Sequence, residues 1–350
     1  MKVNKKVISN LTKCYSIASL KYKNKDCLLV AAEKIDRCIL FDQEGNELDT
    51  VWNEPGGVMS MVQVPGSDGQ FLATHKFYSP NDSKEAKIII ATPISKGNWE
   101  IRTLVDLPHV HRFDILERNG VHYLIACALK SGHEFKEDWS SLGKVYVAVL
   151  PDDLSEFNEN NQLKLTVLKD NMLKNHGYYR VREGQTDTCI ISADCGVFQF
   201  IPPENSDGKW EINQLINSPA SDAVLVDFDE DGDKELAVLS PFHGDQISIY
   251  KKKNGEFVKE YDYENKTEFT HAIYGGKLGT QNVLIVGHRK GERDLLIFTY
   301  DKETKKYKSQ LIDHDCGPAN VLHYNKAGKD IIISTNREID EVAMYEVEEI

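Results

Sequence analysis

The chain has 350 residues, of which 41% are hydrophobic and 28% charged, and its formal net charge is −13. This composition is that of a soluble globular protein that can bury a sizeable core. The acidic balance, with no run of Lys or Arg longer than three residues, argues against nucleic acid and an anionic membrane surface as partners.

Short apolar runs separated by turn residues dominate the chain and predict β-strands. The runs recur in pairs, and each pair is followed by a third strand and usually by a more polar fourth. Seven such units follow one another, with approximate bounds 12–56, 57–109, 110–175, 176–219, 220–269, 270–318 and 319–350.

The seventh unit is one strand short, whereas residues 1–11 hold one strand in excess. Seven units of about 50 residues, with an N-terminal strand that can complete the last unit, predict one all-β domain. The predicted domain is a seven-bladed β-propeller with four-stranded blades. The N-terminal strand would close the ring and remove the open edge of the last blade. Two β-sandwiches, the alternative, predict neither the missing strand nor the even spacing.

Targeting signals and cysteines bear on location. Residues 1–11 lack the apolar core of a signal peptide, and no apolar run approaches the roughly 20 residues that span a bilayer. The seven cysteines are irregularly spaced and include no CxxC pair, which favours reduced thiols over a disulfide framework. We therefore expect a cytoplasmic protein, and the sequence leaves its oligomeric state open.

An acidic turn lies between the first two strands of unit five. Its carboxylates are Asp227, Asp229, Asp231, Asp233 and Glu235. Carboxylates at alternate positions around a glycine turn supply the hard oxygen ligands that Ca²⁺ prefers, although the spacing departs from that of an EF-hand. The turn predicts a structural calcium site, and the alternative is a solvated acidic turn without an ion.

The second signal is positional. In a propeller the first strand of each blade begins, and the second ends, at one face near the central axis, which we call the mouth. Aligned in this way, the starts of the first strands carry His111, His176, Asp222, His271 and Asn320. The ends of the second strands carry Glu33, His75, Lys130, Asp194, His243, His288, Arg289, Asn336 and Arg337.

Histidines are concentrated at the mouth, since seven of the eleven map there: 75, 109, 111, 176, 243, 271 and 288. Clustered neutral imidazoles are the usual ligands of a divalent transition metal such as Mn, Zn, Ni or Fe, and a carboxylate can complete the set. Without a metal, the same cluster would supply general acids and bases near neutral pH.

Two insertions, at 77–86 and 130–143, fall on the mouth face and are candidate substrate walls. Trp139 could stack on a sugar ring or pack within its own loop. The predicted substrate contacts are His109, Lys130, Trp139, His243 and Asn320.

A family resemblance adds to this interpretation. Residues 271–276 (His-Ala-Ile-Tyr-Gly-Gly) and 287–289 (Gly-His-Arg), with the acidic turn of the preceding unit, resemble bacterial FG-GAP/VCBS propellers related to aldos-2-ulose dehydratase. The resemblance covers the whole chain as architecture and units three to six as motifs. It implies a metal in the mouth, a calcium at the acidic turn, and elimination or isomerisation of an oxidised sugar.

On this interpretation the protein is a carbon–oxygen lyase acting on a small carbohydrate derivative. His111, His176 and His271 are the expected metal ligands, with Asp222 as a fourth candidate. His288 or Tyr179 would be the base, Arg289 would hold a carboxylate or hydroxyl pair, and His75 joins the candidate catalytic residues.

Two other functions stay open at the level of the sequence. A non-catalytic propeller could bind a glycan or protein partner on the same face, because propellers host both enzymes and binding proteins. A glycoside hydrolase would need a pair of carboxylates flanking the bond, and Glu33, Asp194 and Asp222 are the candidates at the mouth.

Overall fold

The computed structural model describes residues 2–135, 137–184 and 186–349. Within these ranges the chain forms 28 β-strands and one short 3₁₀ helix. Strand β1 is Lys2–Asn10. Blade one is β2 (Cys14–Tyr22), β3 (Lys25–Ala32), β4 (Cys38–Asp42) and β5 (Glu47–Trp52). Blade two is β6 (Met61–Gln63), β7 (Phe71–His75), β8 (Lys87–Ser95) and β9 (Asn98–Asp106).

Blades three to five continue the pattern. Blade three is β10 (Val110–Arg118), β11 (Val121–Lys130), β12 (Leu142–Val149) and β13 (Thr166–Lys169). Blade four is β14 (Gly177–Glu183), β15 (Thr186–Ala193), β16 (Gly196–Ile201) and β17 (Glu211–Ile216). Blade five is β18 (Asp222–Val226), β19 (Glu235–Ser240), β20 (Gln246–Lys253) and β21 (Glu256–Asp262).

Blades six and seven complete the ring. Blade six is β22 (Thr270–Leu278), β23 (Gln281–His288), β24 (Leu295–Asp301) and β25 (Lys306–Asp313). Blade seven is β26 (Asn320–Lys326), β27 (Lys329–Asn336) and β28 (Glu341–Glu349), with the 3₁₀ helix Arg337–Ile339 before β28. That helix is the only one in the described part of the chain, and none there is long and apolar enough to cross a membrane.

Strand β1 is the outer strand of blade seven, where the sheet order is β26-β27-β28-β1 and the other six sheets follow chain order. It pairs antiparallel with β28, from Lys2 opposite Glu349 to Asn10 opposite Glu341. The predicted all-β fold, a seven-bladed propeller closed by the N-terminal strand, is confirmed.

The core lies between the blades. The second strand of each blade is covered by neighbouring sheets on both faces, which explains why these strands are continuously apolar. In β23, for example, Val283 through Val286 are fully buried. The fourth strands form the rim of the ring, and β21 accordingly has five exposed and two half-buried residues and no buried one.

The first strands of blades one, three and six each carry a β-bulge at their second residue. The register of β2 with β3, of β10 with β11 and of β22 with β23 shifts at the second residue of the first strand. The residues left without a partner across the ladder are Tyr15, His111 and His271. A bulge redirects a side chain, and at the mouth the Tyr15 hydroxyl contacts the rings of both His111 and His271.

Candidate active site

Four histidines from four consecutive blades meet at the mouth of the channel. His111 lies on β10, His176 precedes β14, His243 follows β19 and His271 lies on β22. The ring centre of His176 lies 4.4 Å from that of His111, 4.9 Å from that of His243 and 5.3 Å from that of His271. We call these four residues the histidine cluster.

Three of the four rings are oriented by the neighbouring blade. The Nδ1–H of His111 donates to the carbonyl of His176 (3.3 Å), that of His176 to the carbonyl of Ser221 (3.1 Å), and that of His271 to the carbonyl of Ala319 (2.7 Å). This arrangement assigns the proton to Nδ1 and leaves Nε2 with a free lone pair. Hydrogen bonds of this kind orient histidines that bind metal ions.

The Nε2 atoms converge. Those of His176 and His243 lie 3.3 Å apart, and the hydroxyl of Tyr15 lies 3.0 Å from Nε2 of His271 and 3.4 Å from Nε2 of His111. One hydroxyl proton can serve only one of these two acceptors. Ring nitrogens of His176, His243 and His271 all lie within 4.8 Å of one another, so these three residues could hold a metal ion.

Burial keeps the cluster neutral. It lowers the pKa of His176 to about 3 and holds the pKa values of His111, His243 and His271 well below their usual range, with nearby cationic side chains and the other imidazoles adding to the effect. Metal ions bind the neutral imidazole, so competition from protons is weak at neutral pH. The residues therefore fit a transition metal by donor type, orientation and protonation state.

Aromatic rings hold His243, which lies in the loop after β19. His243 is stacked between Phe242, at 3.9 Å, and Phe269, at 4.3 Å. Phe269 is also parallel to His271, at 6.1 Å. The stack restricts rotation of the His243 ring and gives the mouth an apolar wall beside the imidazoles.

Asp222 and Asn320 lie deeper in the channel. Both line an axial cavity of about 230 Å³, together with His271 and Arg112. Burial raises the pKa of Asp222 to about 7, although the Arg112 guanidinium opposes the shift. Asp222, expected as a fourth ligand, is not in the three-histidine group, and neither is His111.

Other predicted residues are engaged in structural hydrogen bonds. The Nδ1–H of His288 donates to the carbonyl of Lys290 (2.8 Å), and the backbone N–H of Asp294 donates to Nε2 of His288 (3.1 Å). The Tyr179 hydroxyl donates to the carbonyl of Gly275 (3.0 Å). Neither His288 nor Tyr179 is therefore placed to take a proton from a substrate at the histidine cluster.

Arg289 is paired at the rim of the mouth. Its guanidinium contacts Glu338 at 2.7 Å and lies 4.8 Å from the centre of the Phe269 ring. Glu338 also pairs with Arg337 at 2.9 Å, and Arg337 pairs with Glu33. This chain of alternating charges satisfies Arg289 without a substrate carboxylate.

The predicted substrate contacts of blade three form a wall beside the mouth. The Lys130 ammonium donates to Asn81 Oδ1 at 2.8 Å and lies 4.5 Å from the centre of the Trp139 ring, and Trp139 in turn contacts Phe242 edge-on at 5.8 Å. Nδ1 of His109 is 2.7 Å from Ser83 Oγ. These contacts join the two insertions, and only Trp139 reaches the aromatic rings beside the cluster.

A lysine side chain already pairs with the carboxylates of the acidic turn. The ammonium group of Lys251 pairs with Asp229, with Asp231 at 2.8 Å and with Glu235 at 3.5 Å. Oxygens of Asp227, Asp229 and Glu235 lie close enough together to hold a metal ion, but an ion there would meet the charge of Lys251. Asp233 is exposed, and the calcium site stays a prediction.

His75 lies apart from the cluster, between blades one and two. Its ring meets Trp52 edge-on at 4.6 Å, and its buried Nε2 has no hydrogen-bond partner among the described residues. Burial, aided by Lys87 and Lys76, lowers the pKa of His75 to about 3. The environment fits a packed neutral imidazole.

His75 should make the fold sensitive to acid. Its pKa in the folded protein is below the usual 6.5, so its contribution is complete above pH 6.5 and is lost as the pH falls toward 3. We expect His75→Phe to reduce the difference in free energy of unfolding between pH 7 and pH 5 by about 1–2 kcal/mol, measured by urea denaturation.

His314 offers a control of opposite sign. Its pKa is raised by Asp294, so its contribution is complete below the usual pKa and is lost as the pH rises. His314→Phe should therefore increase the loss of stability between pH 7 and pH 5. An unchanged pH dependence in His75→Phe would show that the buried His75 protonates as readily as in the unfolded chain.

Tyr15 is not among the site residues predicted from the sequence, and His243 is predicted there as a substrate contact rather than as a metal ligand. Tyr15 is the second residue of β2, as His111 is of β10 and His271 of β22. Placing the first strand of unit one at Cys14 rather than Ser16 would have identified it.

No family model matches this sequence, and no curated protein matches it. Among solved structures, that of streptogramin B lyase matches with a TM-score of 0.57 and 15% sequence identity, over 98% of this chain and 97% of that chain. At this identity the likeness shows the fold alone. The comparisons therefore support the seven-bladed propeller, whereas the resemblance to FG-GAP/VCBS propellers rests on sequence motifs.

Proposed function

We propose that this protein is a metal-dependent carbon–oxygen lyase that eliminates water or an alcohol from a small oxidised sugar at the mouth of the propeller. The observation that carries the proposal is the convergence of ring nitrogens from His176, His243 and His271. Two of these rings are held by backbone carbonyls. The dehydratase resemblance agrees with this chemistry, and the similar solved structure is itself named a lyase.

A divalent transition metal such as Mn, Zn, Ni or Fe would supply a Lewis acid beside a substrate carbonyl or carboxylate. His176, His243 and His271 would hold it. Nε2 of the fourth histidine, His111, is unprotonated because its Nδ1–H is donated to a carbonyl, and this nitrogen contacts the Tyr15 hydroxyl. It is therefore the group we assign as the base.

Tyr15 is the proton donor on this proposal. Burial raises its pKa to about 12, so the phenol is protonated at neutral pH. His111 would take the proton on the carbon next to the carbonyl, the carbon–oxygen bond would break, and Tyr15 would protonate the departing oxygen. The proton on His111 would then return to Tyr15 across their 3.4 Å contact. The same proton transfers would support isomerisation.

The proposal is tested by metal analysis and by product detection. Purified protein should retain about one transition-metal ion per chain after loading with Mn, Zn, Ni or Fe and gel filtration. Loaded protein should then produce new ultraviolet absorbance of an enone from a panel of keto-sugars and uronides. A protein that retains none of the four metals contradicts the proposal.

Tyr15→Phe separates chemistry from metal binding. We expect this variant to lower kcat by about 10²–10⁴-fold, the usual contribution of a general acid, with unchanged metal content. Tyr123→Phe is the matched control, because Tyr123 is equally buried and its hydroxyl donates to the carbonyl of Pro203 (3.0 Å) outside the mouth. Full activity in Tyr15→Phe would remove Tyr15 from the mechanism.

A glycoside hydrolase fits the mouth less well. Of its three candidate carboxylates, Glu33 pairs with Arg337 and Asp194 pairs with Lys174 at 2.9 Å. A binding protein without catalysis would give no product with any member of the sugar panel. We further propose a cytoplasmic location, which is supported by seven free cysteines of which six are buried.

A further inference from the structure

The axial cavity below the histidine cluster is built by all seven blades, since side chains of every inner strand line it. Its volume of about 230 Å³ is below the range of about 300–1,000 Å³ that is usual for a whole small-molecule ligand. His271 belongs both to the cluster and to the wall of this cavity. The cavity is therefore suited to one group of a ligand whose remainder lies at the cluster.

Arg112 is the cationic group of this cavity. One Nη1–H donates to the carbonyl of Met59 (2.8 Å), and one Nη2–H donates to Asn320 Oδ1 (3.1 Å). Both acceptors are neutral, and a guanidinium has five N–H donors. Arg112 also lies 5.8 Å from the centre of the Tyr15 ring, and none of these three contacts is with a carboxylate.

The other arginines of the chain are paired. Each of the remaining eight forms an ion pair with a carboxylate: 37, 102, 118, 180, 182, 289, 293 and 337. Among the residues whose side chains the structure describes (2–135, 137–182, 184 and 186–348), Arg112 has no carboxylate oxygen within the 4.0 Å ion-pair distance. Arg112 is half-buried, and the two carboxyl groups that line the same cavity have other partners: Asp114 pairs with Arg180, and Asp222 accepts from the backbone N–H of Ala223. The guanidinium is therefore able to receive an anion from outside the chain.

Asn320 fixes the direction of the guanidinium. Its Nδ2–H donates to the carbonyl of Tyr15 (2.8 Å), which leaves Oδ1 to accept from Arg112. The Thr335 hydroxyl donates to the same carbonyl at 2.8 Å. Asn320, predicted as a substrate contact, is therefore a positioning residue for Arg112.

We propose that the axial cavity is a carboxylate subsite, in which Arg112 receives the acid group of the substrate. The planar fork of a guanidinium matches a carboxylate in two parallel hydrogen bonds. The inference rests on the proposed function for the reaction and narrows its substrates to sugar acids. The binding of the carboxylate itself does not depend on a metal.

The test uses the full chain stripped of metal by a chelator. Formate and acetate labelled with ¹³C are titrated at constant ionic strength and followed by NMR line broadening. The wild type should bind both with a Kd in the millimolar range, about −4 kcal/mol or weaker. Inorganic phosphate should bind at least about tenfold more weakly: a guanidinium can pair with phosphate as well, but the larger negative charge of phosphate is repelled more strongly by Asp114 and Asp222, which line the same cavity.

Three variants locate the binding. Arg112→Met should weaken acetate binding by at least about tenfold, the effect of losing a charge-assisted hydrogen-bond pair. Asn320→Asp should weaken it similarly, because it gives Arg112 an internal carboxylate. Arg118→Met is the matched control: Arg118 lies on the same strand and donates to one carbonyl and one side chain, and this variant should bind acetate as the wild type does.

Equal acetate binding by the wild type and Arg112→Met overturns the subsite, as does tighter binding of phosphate or no binding up to about 100 mM. If Arg112→Met does not fold, as judged by circular dichroism, Asn320→Asp and Arg112→Lys provide the comparison. If the wild type binds acetate but no transition metal, the proposed function is overturned and the subsite is not. If it binds a transition metal but no acetate, the subsite is overturned and the proposed function is not.

Discussion

Replacing His176 by alanine is expected to remove the bound metal, lowering its content from about one ion per chain to near zero. The His176 ring contacts the other three rings of the cluster, and it supplies one of three converging nitrogens. Loss of a residue that merely orients a ligand weakens metal binding by about 10–100-fold. Loss of a direct ligand should weaken it further, which chelator competition and elemental analysis will measure.

The control for this variant is His122→Ala. His122 lies near the start of β11, at the opposite end of that strand from the mouth, and its ring contacts Asp152 at 3.7 Å. Its metal content should equal that of the wild type. Added metal should also raise the Tm of the wild type, because a ligand that binds only the folded state stabilises it, and this increase should be absent in His176→Ala. Retention of metal with wild-type affinity by His176→Ala would eliminate the three-histidine site.

The role of His111 differs between the prediction from sequence and the arrangement in the structure. The sequence predicts it as a metal ligand because it occupies the same position as His176 and His271. In the structure the three-histidine group lacks it, although the Tyr15 hydroxyl contacts Nε2 of both His111 and His271. We expect His111→Ala to retain metal and lose turnover. Loss of the metal would return His111 to the ligand set.

The blade pattern was predictable from sequence because it depends on local information. Apolar runs, turn residues and a strand missing from unit seven determine the number of blades without any knowledge of side-chain contacts. Alignment of the strand starts also predicts that His111, His176 and His271 lie on one face, since the first strand of every blade begins at the mouth. For these three residues, position along the strand was sufficient to predict the face on which they lie.

The hydrogen-bond partners could not be predicted in the same way. Arg289 resembles a free carboxylate-binding residue until Glu338, 49 positions away, is placed beside it. Arg112 pairs with Asn320 across 208 positions, and its importance is visible only because every other arginine has an ion-pair partner. The bulge at Tyr15 is likewise a property of the pairing of β2 with β3, which residue type alone does not specify.

The largest effect on stability is expected from deletion of residues 2–10. Strand β1 covers the edge of β28 along its whole length, and Lys5 links blades six and seven through Asp313 (2.8 Å) and Glu341 (2.7 Å). Val3 and Ile8 pack against the core of the last blade. We expect a loss of about 2–4 kcal/mol in free energy of unfolding, measured by urea denaturation.

An exposed β28 should also make the truncated protein self-associate, because an unpaired edge strand offers free backbone groups to another chain. A circular permutant in which residues 1–11 follow residue 350 through a flexible linker is the matched control. It restores the strand at the same edge from the other terminus, so it should regain both stability and the hydrodynamic size of the wild type. If the truncated protein keeps the urea midpoint of the wild type, blade seven does not need its fourth strand. The ring would then be held by packing between the faces of the blades rather than by the strand that joins its two ends.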